Sequence, residues 1–161
     1  MNLLIDRVIK NWKGVSNIKY QETNFIKNPI SHGRRFSPQN TNEELWKKVF
    51  SEFNLDPDLP EPHIGNVLMN HYEDDACTHM HTDLTIDGYV HVRANVMLKK
   101  PKKGGDMIIE DSITPLEKND LWLILASLEN HGSTPIQEGE RLVYSFGALI
   151  KEDKISKIIR Q

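Results

Sequence analysis

His79, His81 and Asp83 alternate along a short stretch of this chain, so on an extended backbone their side chains share one face. Two imidazoles and one carboxylate hold a divalent iron from one side and leave its remaining positions open, a geometry that needs only two of these residues plus one distant histidine. His131, in Leu-Glu-Asn-His-Gly-Ser-Thr-Pro, is the distant candidate, and Arg141 follows it in the sequence Gly139-Glu140-Arg141. A guanidinium grips a carboxylate through two parallel charge-assisted hydrogen bonds, where a lysine offers only a point charge. The pattern is therefore one candidate metal site followed by an arginine.

Elements of definite kind must bring these residues together. Residues 89 to 98 alternate: Val90, Val92, Ala94, Val96 and Leu98 face one way, and Tyr89, His91, Arg93, Asn95 and Met97 the other, which predicts a strand with one apolar and one mixed face. Further strands are expected near 66 to 72, 78 to 83, 106 to 110, 121 to 126, 132 to 136 and 141 to 150, divided by Gly-Gly, Asn-Asp and Glu-Gly turns. One helix is expected over about 42 to 53, capped by Thr41 with Glu44 completing a capping box, and Leu45, Val49, Phe50 and Phe53 on the face that covers the sheet. Pro57, Pro60 and Pro62 mark an extended linker. The run Lys99-Lys100-Pro101-Lys102-Lys103 reads as a solvated turn. Strands after one helix predict a mainly β protein, a sandwich or jelly roll with flanking helix on one side.

The motifs in this order resemble the iron(II)- and 2-oxoglutarate-dependent oxygenases, in particular their prolyl-hydroxylase-like branch, over about residues 66 to 150. His81-Thr82-Asp83 is similar to the family's His-x-Asp, Arg93-Ala-Asn-Val-Met-Leu98 to the strand after it, and Gly104-Gly105-Asp106 to its Gly-Gly-acidic turn. His131 with Arg141 is similar to the distal metal histidine and the basic residue that holds the far carboxylate of 2-oxoglutarate, and Asn70-x-Tyr72 to a cosubstrate-contacting pair of the alkylated-base demethylases. The resemblance implies a double-stranded β-helix with an N-terminal helical cover. It implies iron(II) on His81, Asp83 and His131, and 2-oxoglutarate on Arg141, Tyr72 and Asn70, with ascorbate as a supporting reductant. Hydroxylation of a C–H bond, with release of succinate and carbon dioxide, is the implied reaction, and Asp83 argues against the halogenating branch. Val143 stands where some branches carry the serine of Arg-x-Ser.

The remaining candidates are weighed by their surroundings. Arg93 and Asn95 face either the pocket or solvent. His79 is read as a rim residue, because a cupin-like His79-x-His81 lacks its glutamate among Thr82, Asp83, Leu84, Thr85 and Ile86. Cys77 reads as a buried or edge thiol, and Trp12, Trp46 and Trp122 as core anchors.

The chain has 161 residues, 38% of them apolar and 27% charged, which predicts one soluble domain: a β-helix core over about 64 to 150 and a cover over about 1 to 62. A lone cysteine makes no internal disulfide, and no segment is apolar enough to span a bilayer or to act as a leader, so a cytoplasmic location is expected. Residues 51 to 88 hold nine Asp/Glu and no Lys/Arg together with His63, His71, His79 and His81. Such a segment repels a phosphate backbone unless a cation neutralises it, which favours metal over nucleic acid. The expected substrate is an amino acid, a peptide residue or another small molecule. Nucleobase demethylation and a cupin-like binding module without turnover are the alternatives, and oligomeric state is not legible.

Overall fold

The alternation over residues 89 to 98 is realised at the centre of a twisted antiparallel sheet. The computed structural model describes residues 1–27, 34–38, 43–56, 58–63, 68–72 and 75–160, with the backbone alone over 21–27, 34–38 and 68–72. Its strands are β1 (Val8–Ile9), β2 (Tyr20–Lys27), β3 (Arg34–Pro38), β4 (Pro60–Pro62), β5 (Leu68–Tyr72), β6 (Tyr89–Lys99), β7 (Lys103–Gly104), β8 (Met107–Ile109), β9 (Ser112–Thr114), β10 (Leu121–Ile124), β11 (His131–Ser133), β12 (Ile136–Glu138) and β13 (Arg141–Lys151). The main sheet runs β1-β10-β6-β13-β5-β3-β2, and β4 pairs with the far end of β13. Shorter sheets, β11-β8-β9 and β12-β7, complete the β-helix.

Register assigns the two faces of the main sheet. Ala94 lies opposite Phe146 and Asn95 opposite Ser145, so each strand sends its apolar set one way and its polar set the other. On the outer face Val90, Val92, Ala94 and Val96 join Leu142, Tyr144, Phe146, Ala148 and Ile150 in one buried cluster with Leu45, Trp46, Val49 and Phe50 of helix α1 (Glu43–Ser51). The Trp46 indole N–H donates to the Gly147 carbonyl at 2.8 Å, fixing the helix to β13. Burial of each large apolar side chain there contributes about 1.5–3 kcal/mol, which offsets the ordering of the chain around it. The inner face carries His91, Arg93, Asn95 and Met97 from β6 and Arg141, Val143 and Ser145 from β13, which decides the facing of Arg93 and Asn95 that alternation left open. Met97 and Val143 pack there with Met107, Ile109, Trp122 and Ile124.

Several expectations need correction. The N-terminal cover is not a helical layer: it is α1, a 3-10 turn at Lys13–Asn17, and the β2–β3 hairpin, which extends the main sheet beyond β5. Its backbone groups are satisfied by pairing with β5, a partner that local sequence does not name. Residues 60 to 62 are not a free linker but pair with Ala148, Leu149 and Ile150 at the sheet margin, where a proline's missing N–H is harmless. No ladder forms over 78 to 83. There, an isolated bridge joins His81 to His131, and the Ser133 N–H donates to the Thr78 carbonyl, a slip of one residue that interrupts the pairing. The strand expected at 132 to 136 is divided between β11 and β12, which pair with different partners. The Thr41 cap, Pro57 and the first residues of the expected strand at 66 to 72 lie outside the described residues. The lysine run is a solvated turn, with Lys100 near Glu117 and Lys102 near Glu138. Among the described residues no helix is long and apolar enough to cross a membrane.

Candidate metal centre

Backbone pairing brings the three ligand candidates together. The His81 N–H donates to the His131 carbonyl at 3.0 Å and the His131 N–H to the His81 carbonyl at 2.9 Å, while the Asp83 N–H donates to Ala126 at 2.7 Å. The donor atoms of His81, Asp83 and His131 all lie within 4.8 Å of one another, a separation that one metal ion can bridge. His81 is the open side of the group: its side chain is 41% exposed, against 8% for His131. Gly132 permits this approach, since a Cβ there would lie 2.6 Å from the Thr78 carbonyl oxygen and 3.0 Å from the Met80 sulfur.

The imidazoles are turned for metal binding. Each Nδ1–H donates to the carbonyl two residues earlier, His81 to His79 at 2.7 Å and His131 to Glu129 at 2.8 Å. That contact fixes the tautomer and directs both Nε2 atoms at Asp83 Oδ1, at 3.3 and 3.6 Å. Two imidazole lone pairs and a carboxylate oxygen repel one another unless a cation lies between them. A proton can serve, and hydrogen bonding to Asp83 raises the His81 pKa despite burial. A divalent metal serves all three donors at once, so the group fits one.

The carboxylate of Asp83 is divided between two tasks. Oδ1 faces the two Nε2 atoms, while Oδ2 accepts a 2.6 Å hydrogen bond from Arg93 Nε and lies 3.3 Å from His91 Nδ1. Arg93 also donates from Nη1 to Ser145 Oγ at 3.2 Å, which fixes its fork on the inner face. Burial works to raise the Asp83 pKa, but the facing His131 and His81 side chains and the Arg93 charge outweigh it and hold the carboxyl far below the ordinary range. Burial, with the Arg93 charge, pushes His91 down to about 4, so it is a neutral imidazole beside this centre. Arg93 and Asn95 thus face inward rather than to solvent, and Asn95 is buried. His79 is exposed, outside the donor cluster, and near Cys77 Sγ at 4.0 Å; the one-residue slip turns it from the face it was expected to share.

The proposed cosubstrate residues begin β13 and lie across from it. Arg141 is buried, and its Nε donates to the Gly105 carbonyl at 3.0 Å. Gly105 has φ +69°, and a Cβ there would lie 2.8 Å from Pro101 Cγ and 3.1 Å from Arg141 Cδ, so the Gly-Gly turn is what seats this arginine. On β5, Tyr72 is in register with Arg141 and Asn70 with Val143.

Sequence reasoning assigned no role to His91, Arg7 or Glu129. His91 had a readable signal, a polar residue at an inner position of a buried strand. Arg7 and Glu129 had none, since their partnership spans most of the chain. Arg7 donates to both Glu129 carboxylate oxygens and, at 2.8 Å, to the Leu123 carbonyl, while the Leu125 N–H donates to Glu129 at 2.9 Å. Because the Glu129 carbonyl orients His131, this half-buried pair anchors the turn that carries a ligand candidate.

No protein-family model and no curated protein matches the sequence. As a fold, the chain is similar to the viral collagen prolyl hydroxylase vCPH from Paramecium Bursaria Chlorella virus-1, solved as a 2-oxoglutarate complex, with a TM-score of 0.55 and 14% identity over 73% of this chain and 78% of that one. It is similar to a prolyl-4-hydroxylase from Pseudomonas putida, with a TM-score of 0.56 and 15% identity over 80% and 78% of the two chains. It is also similar to HygX from Streptomyces hygroscopicus, solved with nickel and 2-oxoglutarate bound, with a TM-score of 0.52 and 13% identity over 88% and 81%. At these identities the likeness is one of fold, a double-stranded β-helix shared with 2-oxoglutarate-binding proteins.

Proposed function

We propose that this protein is an iron(II)- and 2-oxoglutarate-dependent dioxygenase that hydroxylates a C–H bond of an amino acid, a peptide residue or another small molecule. The observation that carries the reading is the convergence of His81 Nε2, His131 Nε2 and a single oxygen of Asp83 on one point, on a fold shared with proteins solved with 2-oxoglutarate bound. Those three residues would hold iron(II). When bound, iron couples oxidation of 2-oxoglutarate to succinate and carbon dioxide with insertion of one atom of dioxygen into the substrate C–H bond.

The chain's own residues supply orientation and charge. Arg93 occupies Oδ2 and leaves Oδ1 as the metal-facing oxygen, so Asp83 would use one coordination position rather than two. Arg141 offers a buried guanidinium on the inner face for the distal carboxylate, and Tyr72 and Asn70 are its further candidate contacts, in backbone register with Arg141 and Val143. Burying that carboxylate without a partner would cost several kcal/mol, which is why the cation must be on the inner face.

The test is succinate release by the protein loaded anaerobically with iron(II), supplied with 2-oxoglutarate and ascorbate, and screened against amino acid, peptide and nucleic acid panels. Succinate dependent on one substrate class, and lost in His81→Ala, Asp83→Ala and His131→Ala but kept in His79→Ala, is the expected result. Metal binding without succinate on every panel would instead make this a binding module. Metal lost with His79→Ala and kept with Asp83→Ala would select a cupin-like site.

A further inference from the structure

Trp122 is buried in β10 among apolar side chains that include Met97, Met107 and Val143, and its indole nitrogen has no hydrogen-bond partner among the described residues. A buried donor left unmade costs free energy, so such an orphan calls for an explanation, and one explanation is an acceptor that arrives with a bound molecule. Buried orphans also occur at Tyr144, Asn119 and His91. The Tyr144 hydroxyl belongs to the apolar layer under α1, Asn119 precedes β10, and His91 adjoins the metal centre. Trp122 differs in its neighbours: it lies opposite Asn95 on the inner face, and the guanidinium carbon of Arg141 is 6.0 Å from its ring centroid. A cationic donor and a neutral donor, both buried, are thus adjacent on the face to which the keto acid is assigned.

We infer that the Trp122 indole N–H donates a hydrogen bond to the distal carboxylate of 2-oxoglutarate, beside Arg141. The inference rests on the proposed function and deepens it by adding a residue that selects the cosubstrate. A carboxylate presents several lone-pair sites, so it accepts from the guanidinium and the indole together. A keto acid of equal length with an apolar end leaves the indole N–H as unmet as it is in the free protein. Trp122 therefore discriminates between five-carbon keto acids by what stands at the far end, while the metal centre engages the keto acid end common to both.

Isothermal titration of the full-length protein loaded with manganese(II), which binds without turnover, compares 2-oxoglutarate with 2-oxopentanoate. Trp122→Phe keeps an aromatic ring and removes the donor. It is expected to weaken 2-oxoglutarate about tenfold, the scale of one hydrogen bond to a charged group, and to leave 2-oxopentanoate unchanged. Equal affinity of variant and wild type for 2-oxoglutarate, or an equal loss for both acids, overturns the inference. Should the variant fail to fold, the zinc-loaded wild type decides by NMR of its indole N–H groups. A downfield shift of the Trp122 signal with 2-oxoglutarate but not 2-oxopentanoate supports the contact, and no shift overturns it. Wild-type protein that binds no 2-oxoglutarate overturns the proposed function itself, so the two failures are distinguishable.

Discussion

His81 and His131 exchange both of their backbone hydrogen bonds, which makes two residues from distant parts of the chain a directly opposed cross-strand pair with ring centroids 4.5 Å apart. The separation of the two converging Nε2 atoms is thus set by backbone pairing rather than by flexible side chains, and substitutions that disturb the pairing should act on metal affinity.

Gly132→Ala tests that dependence. The added methyl meets the Thr78 carbonyl oxygen, the Met80 sulfur and the His79 carbonyl carbon, so the segment leading to His81 must move away from β11. A cost of about 1–3 kcal/mol in stability is expected from such overpacking, with affinity for manganese(II) or cobalt(II) falling at least tenfold. Unaltered metal affinity in a folded variant would disconnect the backbone pair from the site.

Arg93→Leu removes a cation that holds Asp83. Breaking such a partly buried pair should cost about 2–3 kcal/mol in chelator, because the carboxylate loses its countercharge. Bound metal supplies another, so the loss should be smaller in excess manganese(II). Denaturant titrations under both conditions measure the difference; equal losses would mean that Arg93 and the metal do not share Asp83.

Arg141→Ala should raise the 2-oxoglutarate requirement about tenfold to a hundredfold, on the order of 1.5–3 kcal/mol for a charge-assisted contact, with metal affinity near wild type. Gly105→Ala should reproduce much of that defect without touching the guanidinium, since its methyl would collide with Pro101 and crowd the Arg141 stem. An unchanged requirement in Arg141→Ala would move the carboxylate site elsewhere, with Arg93 the next inner-face cation.

Asp120 governs part of the acid response. Burial alone would raise its pKa, but the Lys10 ammonium and the backbone N–H groups of Glu117 and Asn11 outweigh it and hold the carboxyl below its ordinary value. A carboxyl whose folded pKa lies below its unfolded one stabilises the fold above about pH 4, and that contribution is lost as pH falls through the folded pKa. Lys10 is largely exposed and screened, so the two backbone donors carry most of the effect. Asp120→Asn should cost about 1 kcal/mol at neutral pH and flatten the decline in stability below about pH 5. A variant whose acid profile overlays the wild type would refute this.

Alternation is a local property, so the two sets of β6, Val90, Val92 and Ala94 on one side and Arg93 and Asn95 on the other, are legible in the sequence, while which set faces the pocket is not. The sequence by itself also determined which residue types could meet at a metal, since His81, Asp83 and His131 are legible as donors before any fold is known. The sequence sets His79 aside for want of a following glutamate, and the fold adds the reason of geometry that keeps it out of the group. His79 and His81 are equivalent by spacing, and the slip at Thr78 and Ser133, a matter of pairing with a distant strand, separates them. Only the tertiary structure decided the place of the β2–β3 hairpin, whose pairing partner β5 lies outside its own sequence, and of Arg7, which anchors the turn before His131 from the other end of the chain. The physical reason is common to these cases: side-chain direction is fixed by neighbouring residues, whereas register and long-range partnership are fixed by backbone groups that must find hydrogen bonds wherever the whole fold offers them.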